Sequence, residues 1–251
     1  MNSARASIGI VSAMLPELAA LLPLLEDARV QEVAGRRLHH GRLQGHEVVL
    51  MLCGIGKVAS ALSTTLLIER AGVRRLLFTG VAGGLGTGVR VGDVVVARSF
   101  IQHDLDVSPL FARHVVPDLG VSELHCDDSL TLALAEAARQ VLADPGPGLA
   151  ELGLQGARLH QGLMISGDRF VSTAAESQAL RTQLPQALAV EMEGAAMAQV
   201  CAAYGVPCGM VRTISDRADD QAHLDFNRFL ASVASPMSRA IVLKALASIK
   251  D

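Results

Sequence analysis

Cysteine is scarce in this sequence, and the four that occur, Cys53, Cys126, Cys201 and Cys208, form no C-x-x-C pair. Dispersed thiols in a core-rich chain make no disulfide framework, which points to reduced thiols in a cytoplasmic protein. Charge of one sign is lacking too, because the formal net charge is only -3. A phosphate backbone or an anionic membrane surface calls for a basic footprint, so neither nucleic acid nor membrane is an expected partner. Met1-Asn2-Ser3-Ala4-Arg5 leads into a strand-like run without a signal-peptide pattern, and no apolar stretch long enough to cross a bilayer is expected. Internal repeats and low-complexity tracts are absent as well.

What the sequence has is hydrophobic mass. Half of its 251 residues are hydrophobic, enough for one large α/β domain covering residues 1–251. Apolar runs predict strands at residues 7–13, 37–44, 47–53, 74–79, 93–101, 158–166, 187–190 and 207–214. Helical spacing predicts helices at 14–27, 56–71, 128–142, 173–183, 193–204 and 225–249. The first two strands of a hairpin meet at Gly45-His46, the stretch Gly80 to Gly86 reads as a glycine-rich turn, and residues 102–126 read as a long loop. The breaker cluster Asp144-Pro145-Gly146-Pro147-Gly148 reads as a surface loop. Strands alternating with helices, several of them continuously apolar, imply a largely parallel or mixed sheet covered on both faces.

In such sheets ligands collect beyond the carboxyl ends of the strands. Four strand ends carry polar or glycine-rich chemistry: Met14-Leu15-Pro16-Glu17, Gly80 to Gly86, Glu191-Met192-Glu193-Gly194, and Arg212-Thr213-Ile214-Ser215-Asp216. Taken singly, each acid has an ordinary explanation. Glu17, Glu191 and Glu193 suit the first turn of a helix, and Asp216 suits a cap or a solvated charge run. The glycines around Gly83, and Gly54-Ile55-Gly56, match neither G-x-G-x-x-G nor the P-loop spacing, so a tight turn serves equally well.

Read together, the strings IGIVSAMLPEL, GIGKVASALSTTLLIE, FTGVAGGL with VGDVVVA, SGDRF, AVEMEGAAMAQVC and VRTISDRAD cover residues 8 to about 230. In order and spacing the chain resembles the 5'-methylthioadenosine/S-adenosylhomocysteine nucleosidases of the nucleoside phosphorylase superfamily. The resemblance implies a three-layer α/β/α sandwich around a mixed, partly barrel-like sheet. It also implies that Glu17 activates the attacking water, Asp216 protonates the departing adenine, and Glu193 holds the ribose hydroxyls. Phe170 and Val171 would flank the base and Met192 the ribose, with Ala82 and Gly83 against the nucleoside. Met14, Ile55 and Phe226 would line the apolar wall, while Ser215 and Arg212 would orient Asp216 and Glu193. The partners implied are an adenine nucleoside, water and a second copy of the chain, with Leu110 or Phe111 in the loop QHDLDVSPLF reaching the partner's pocket. No metal and no cofactor is implied, despite His103 and Asp104.

One position departs from the pattern: Val81 stands in the TG-x-AGG stretch where many members of that family have Ser. Three other readings stay open on sequence. A phosphorylase of the same superfamily would need basic groups for phosphate, and Glu17 would repel that anion. A hydrolase of aminodeoxyfutalosine would share the chemistry and differ in the pocket for the 5'-group. A non-catalytic nucleotide-binding module would keep the fold without turnover.

Overall fold

The computed structural model describes residues 7–144, 147–217 and 226–250. Strand β1 (Ile8–Ser12) leads into a short helix α1 (Leu15–Ala19), followed by β2 (Glu26–Val33), β3 (Arg36–Leu43), β4 (His46–Leu52) and helix α2 (Lys57–Ala71). Then come β5 (Arg75–Gly84), β6 (Val94–Gln102), β7 (Leu124–His125), α3 (Asp128–Ala143) and α4 (Pro147–Glu151). The chain continues through β8 (Leu159–Ser166), α5 (Ala174–Gln183), β9 (Ala187–Glu191), α6 (Gly194–Tyr204) and β10 (Cys208–Asp216). It closes with α7 (Phe226–Phe229), a π-helical turn Leu230–Ala234, and α8 (Ser235–Ser248).

All of these strands join one mixed sheet in the order β10-β6-β8-β9-β5-β1-β4-β3-β2, with β7 beside β6. A further pairing of β10 with β5 closes β5, β10, β6, β8 and β9 into a barrel, while β1, β4, β3 and β2 extend from it as an open wing. Helices cover both faces. On one side Ile8, Ile10, Leu50 and Leu77 pack under α1, α3 and α8; on the other Val11, Val49, Leu76 and Phe78 pack under α2 and α6. The expected three-layer sandwich with a partly closed sheet is what forms.

Four local expectations are corrected. The helix expected over 14–27 ends at Ala19, gives way to a 3-10 turn at Leu22–Leu24, and is followed by β2. Pro23 in that turn cannot donate an intrahelical hydrogen bond, and β2 is a largely exposed edge strand without apolar alternation, so the helical spacing of Leu15, Leu18, Leu22 and Leu25 does not mark one continuous helix. The hairpin turns at Gln44-Gly45, both at positive φ (51° and 81°), one residue earlier than expected. The glycines from Gly80 to Gly84 are strand, because both β9 and β10 pair with them as the barrel closes. The breaker cluster starts helix α4 at Pro147, where a proline in the first turn loses no hydrogen bond.

One apolar stretch also departs from expectation. Residues 227–248 reach a mean hydropathy of 1.3, long and apolar enough by composition to cross a membrane. Some 61% of that window is buried within the fold, and α8 packs along α3, which accounts for the apolarity as a core-helix face.

Candidate active site

Barrel closure brings the polar strand ends together. β5 lies between β10 and β9, with Gly83 opposite Asp216 on one side and Val190 on the other. That register places Glu191 to Glu193, Val81 to Gly83 and Arg212 to Asp216 around one opening, and β1 delivers Met14 and Glu17 beside them. They enclose a cavity of about 200 Å³. Its walls are made by Ala13, Met14, Glu17, Ile55, Val81, Ala82, Gly83, Arg169, Phe170, Val171, Val190, Glu191, Met192, Glu193, Arg212, Ser215 and Asp216.

Arg212 is the hub of the floor. It is 1% exposed, its Nη2 donates to Glu191 Oε2 at 2.7 Å and to Glu193 Oε2 at 3.3 Å, and its guanidinium lies 4.4 Å from the centre of the Phe78 ring. Burial alone would lower its pKa, but the surrounding Glu191, Glu193 and Glu17 reverse that and raise it, so the cation is permanent. Gly80 makes room for it: a Cβ there would sit 2.1 Å from Arg212 Nη1 and 2.9 Å from Glu17 Oε1. Any side chain at Gly80 would push the guanidinium off its carboxylates.

The carboxylates around this cation differ in how much of their hydrogen-bonding capacity the protein uses. Glu191 is saturated: it accepts the N–H groups of Glu193 (3.0 Å) and Gly194 (2.9 Å), the Ser166 hydroxyl, and Arg212. It therefore caps α6 and fixes the turn that follows it. Glu193 accepts Gly56 N–H on Oε1 at 2.8 Å and the longer bond from Arg212. Burial, then the negative charge of Glu191, pushes its pKa up to about 7. Glu17 sits in the first turn of α1, where Oε2 reaches back to the Met14 N–H at 3.1 Å, so the ordinary capping explanation also holds. Its Oε1 is buried and makes no hydrogen bond of ordinary length, and burial pushes its pKa up to about 6 against the pull of Arg212 and of the Met14 and Val81 N–H groups. Asp216 follows a bulge in β10, and its Oδ2 accepts the Ser215 hydroxyl at 2.7 Å.

Chemically, the cavity offers apolar walls, a permanent cation already paired, and acids with different hydrogen-bond partners. Two of them have pKa values moved toward neutrality, the range in which a group both takes and returns a proton. The arrangement suits a substrate that develops positive charge between two carboxylates. Among the described residues no cluster of His, Cys, Asp or Glu has the geometry to hold a metal ion, and Asp104 is engaged by Lys57 at 2.6 Å.

Fourteen of the residues singled out from sequence meet at this cavity. Leu110 lies on the loop after β6 and is 83% exposed, away from this chain's own cavity. The side chain of Phe226 lies outside the described residues. Sequence reading missed Ala13, Arg169 and Val190 as wall residues, although each flanks or falls within one of the quoted strings. Arg169 is tied to Glu176 and marks the rim.

The profile of the Phosphorylase superfamily matches residues 7–247. Among solved structures, the chain is 34% identical to 5'-methylthioadenosine/S-adenosylhomocysteine nucleosidase from Neisseria meningitidis, in complex with methylthio-immucillin-A. That match has a TM-score of 0.86 and covers 97% of this chain and 99% of that one. The S. pneumoniae nucleosidase with a transition-state inhibitor is 33% identical, with a TM-score of 0.85 and coverage of 97% and 100%. Futalosine hydrolase of Helicobacter pylori is 32% identical, with a TM-score of 0.84 and coverage of 97% and 98%. The chain thus belongs to the phosphorylase superfamily, among its 5'-methylthioadenosine/S-adenosylhomocysteine nucleosidases.

Proposed function

We propose that this chain, working as one domain, hydrolyses the N-glycosidic bond of 5'-methylthioadenosine and S-adenosylhomocysteine, releasing adenine and the thioribose product. The observation that carries this reading is that Glu17, Glu193 and Asp216 line one apolar cavity whose buried cation is already paired with Glu191 and Glu193, with burial raising the pKa of Glu17 to about 6 and of Glu193 to about 7. Breaking the bond leaves an oxocarbenium-like sugar and an electron-rich purine. A base on the water and an acid on the purine lower the barrier from both ends.

Glu17 is the base. Its unpartnered Oε1 is available to a water, and a pKa near 6 leaves it ionised at neutral pH yet able to hold the proton it takes. Asp216 is the acid toward the purine, oriented by Ser215. Glu193 receives the ribose hydroxyls and places negative charge beneath the developing cation, which favours the transition state over the ground state. Phe170 and Val171 flank the base, Met192 packs on the ribose, and Glu191 with Arg212 hold Glu193 in place. Water replaces phosphate as nucleophile because an anion entering here would meet two carboxylates and a cation already paired with Glu191 and Glu193.

The enzyme works without a cofactor, in the cytoplasm, in methionine salvage and the recycling of S-adenosylmethionine by-products, as a homodimer in which Leu110 reaches the partner's pocket. Hydrolysis of aminodeoxyfutalosine is the second reading, favoured by the similarity to futalosine hydrolase. The test is incubation of the purified protein with methylthioadenosine, S-adenosylhomocysteine, aminodeoxyfutalosine and inosine in phosphate-free buffer, with free base followed by chromatography. Adenine from the two thionucleosides is the expected result. A requirement for phosphate with formation of ribose 1-phosphate would overturn hydrolysis, and release from aminodeoxyfutalosine alone would favour the second reading.

A further inference from the structure

Helix α2 begins with Gly56 as its N-cap, a residue with no side chain to satisfy the first N–H groups of the helix. Two carboxylates from distant parts of the chain do this instead. Glu193 accepts the Gly56 N–H at 2.8 Å, and Asp168 accepts the Lys57 N–H through Oδ1 at 2.7 Å. The Lys57 ammonium donates to Asp104 Oδ1 at 2.6 Å and to Gln102 Oε1 at 3.1 Å, while Asp104 Oδ2 accepts the Asp168 N–H at 2.8 Å. The bonds form a closed ring through Lys57, Asp104 and Asp168, joining the turn before α2, the end of β6 and the loop after β8.

None of the three side chains lines the cavity, yet each neighbours residues that do. Ile55 precedes Gly56, and Arg169, Phe170 and Val171 follow Asp168 directly. The fit is tight: Gly56 has φ +98°, and a Cβ there would sit 3.1 Å from Asp168 Oδ1. Burial pushes the Asp104 carboxyl up, but the Lys57 ammonium and the Asp168 N–H hold it below its ordinary range, so Asp104 stays ionised at neutral pH.

We infer that Lys57, Asp104 and Asp168 are positioning residues that act as a clasp, fixing the base wall at Phe170 and Val171 against the sugar carboxylate Glu193 through the N-terminus of α2. The two subsites meet at adjacent N–H groups, so their spacing is set by one turn of helix. Loosening the ring moves Phe170 and Val171 away from the base and weakens the Gly56 bond to Glu193. Glu193 is also faced by Glu191 from β9, Arg212 from β10, Glu17 from α1 and Cys53 after β4. With Glu191 and Glu17 unchanged, loss of the Gly56 N–H leaves its carboxylate less favoured.

The inference rests on the nucleosidase reading, and the test separates the two. Asp168→Ala and Asp168→Asn are compared with wild type for methylthioadenosine hydrolysis from pH 5 to 9 and for adenine affinity by calorimetry. Loss of the acceptor in Asp168→Ala raises KM and the adenine Kd by about tenfold or more, and the acid limb of kcat/KM moves to higher pH. Asp168→Asn, which keeps a carbonyl oxygen for Lys57 N–H, restores most of both. A folded Asp168→Ala protein with unchanged KM, adenine Kd and pH profile overturns the clasp, as does an Asn variant no better than Ala. If Asp168→Ala does not fold, Lys57→Met takes its place, with a KM increase expected and an unchanged KM and Kd contradicting the inference. A wild-type protein that releases no adenine defeats the nucleosidase reading, and the calorimetric comparison still decides the clasp.

Discussion

Asp93 and Glu17 are almost equally buried, at 0% and 1% exposure, and the protein treats their carboxylates in opposite ways. Asp93 accepts the N–H groups of Arg90 at 3.0 Å and Arg158 at 2.8 Å, with His160 Nε2 at 2.8 Å. It stitches the turn before β6 to the start of β8, and its backbone carbonyl takes the Ile214 N–H at 2.8 Å. Glu17 accepts the Met14 N–H at 3.1 Å, keeps Oε1 without a hydrogen bond of ordinary length, and has a pKa raised to about 6. Burial with full partnership gives a structural rivet. Burial with an oxygen left over gives a reactive base held at a cost in stability.

That contrast makes predictions in both directions. The largest effect is expected for Glu17→Gln, which removes the base and should lower kcat for methylthioadenosine by about a hundred- to ten-thousand-fold in a protein that still folds. Next is Asp93→Ala, which leaves Arg90 N–H, Arg158 N–H and His160 without their buried acceptor and should cost about 1–3 kcal/mol in urea denaturation. Its kcat, measured well below the unfolding temperature, should fall by less than about tenfold, because no reacting group is lost. An Asp93 variant that loses activity as severely as Glu17→Gln while keeping its stability would erase the distinction.

The third effect concerns stability and pH. The folded-state pKa of Glu17 is raised from 4.5 to about 6, so the stability linked to its protonated form is complete below pH 4.5 and is lost as pH rises through about 6. Gln carries no such loss. Glu17→Gln should therefore be more stable than wild type by about 2 kcal/mol at pH 8, and the gap should close toward pH 4. Thermal unfolding across that range checks it. The smallest effect is expected at Val81, beside Glu17 in the cavity wall. Val81→Ser offers the water one more hydrogen bond and should raise kcat/KM by about two- to fivefold.

Most of the fold was legible because its strands are apolar on both faces and its helices begin and end at glycine or capping residues. β1, the first half of β5, α3 and α6 follow directly from that pattern. β2 did not, since an exposed edge strand shows no alternation, and the glycines of β5 looked like a turn because their strand character comes from barrel closure. The acids were visible but ambiguous one at a time: Glu17 really is a helix-capping group as well as a wall of the cavity. Only the six strings taken together singled them out. The clasp left no local trace, since Lys57 and Asp168 are 111 residues apart and meet only in the folded chain.

The most direct measurement is adenine release from methylthioadenosine in phosphate-free buffer, by wild-type protein and Glu17→Gln side by side, with adenine binding recorded for both. The account predicts rapid release by wild type, and near-silence from a variant that is folded and still binds adenine. Equal release by the two proteins would contradict the role given to Glu17, and release by neither would contradict the nucleosidase itself.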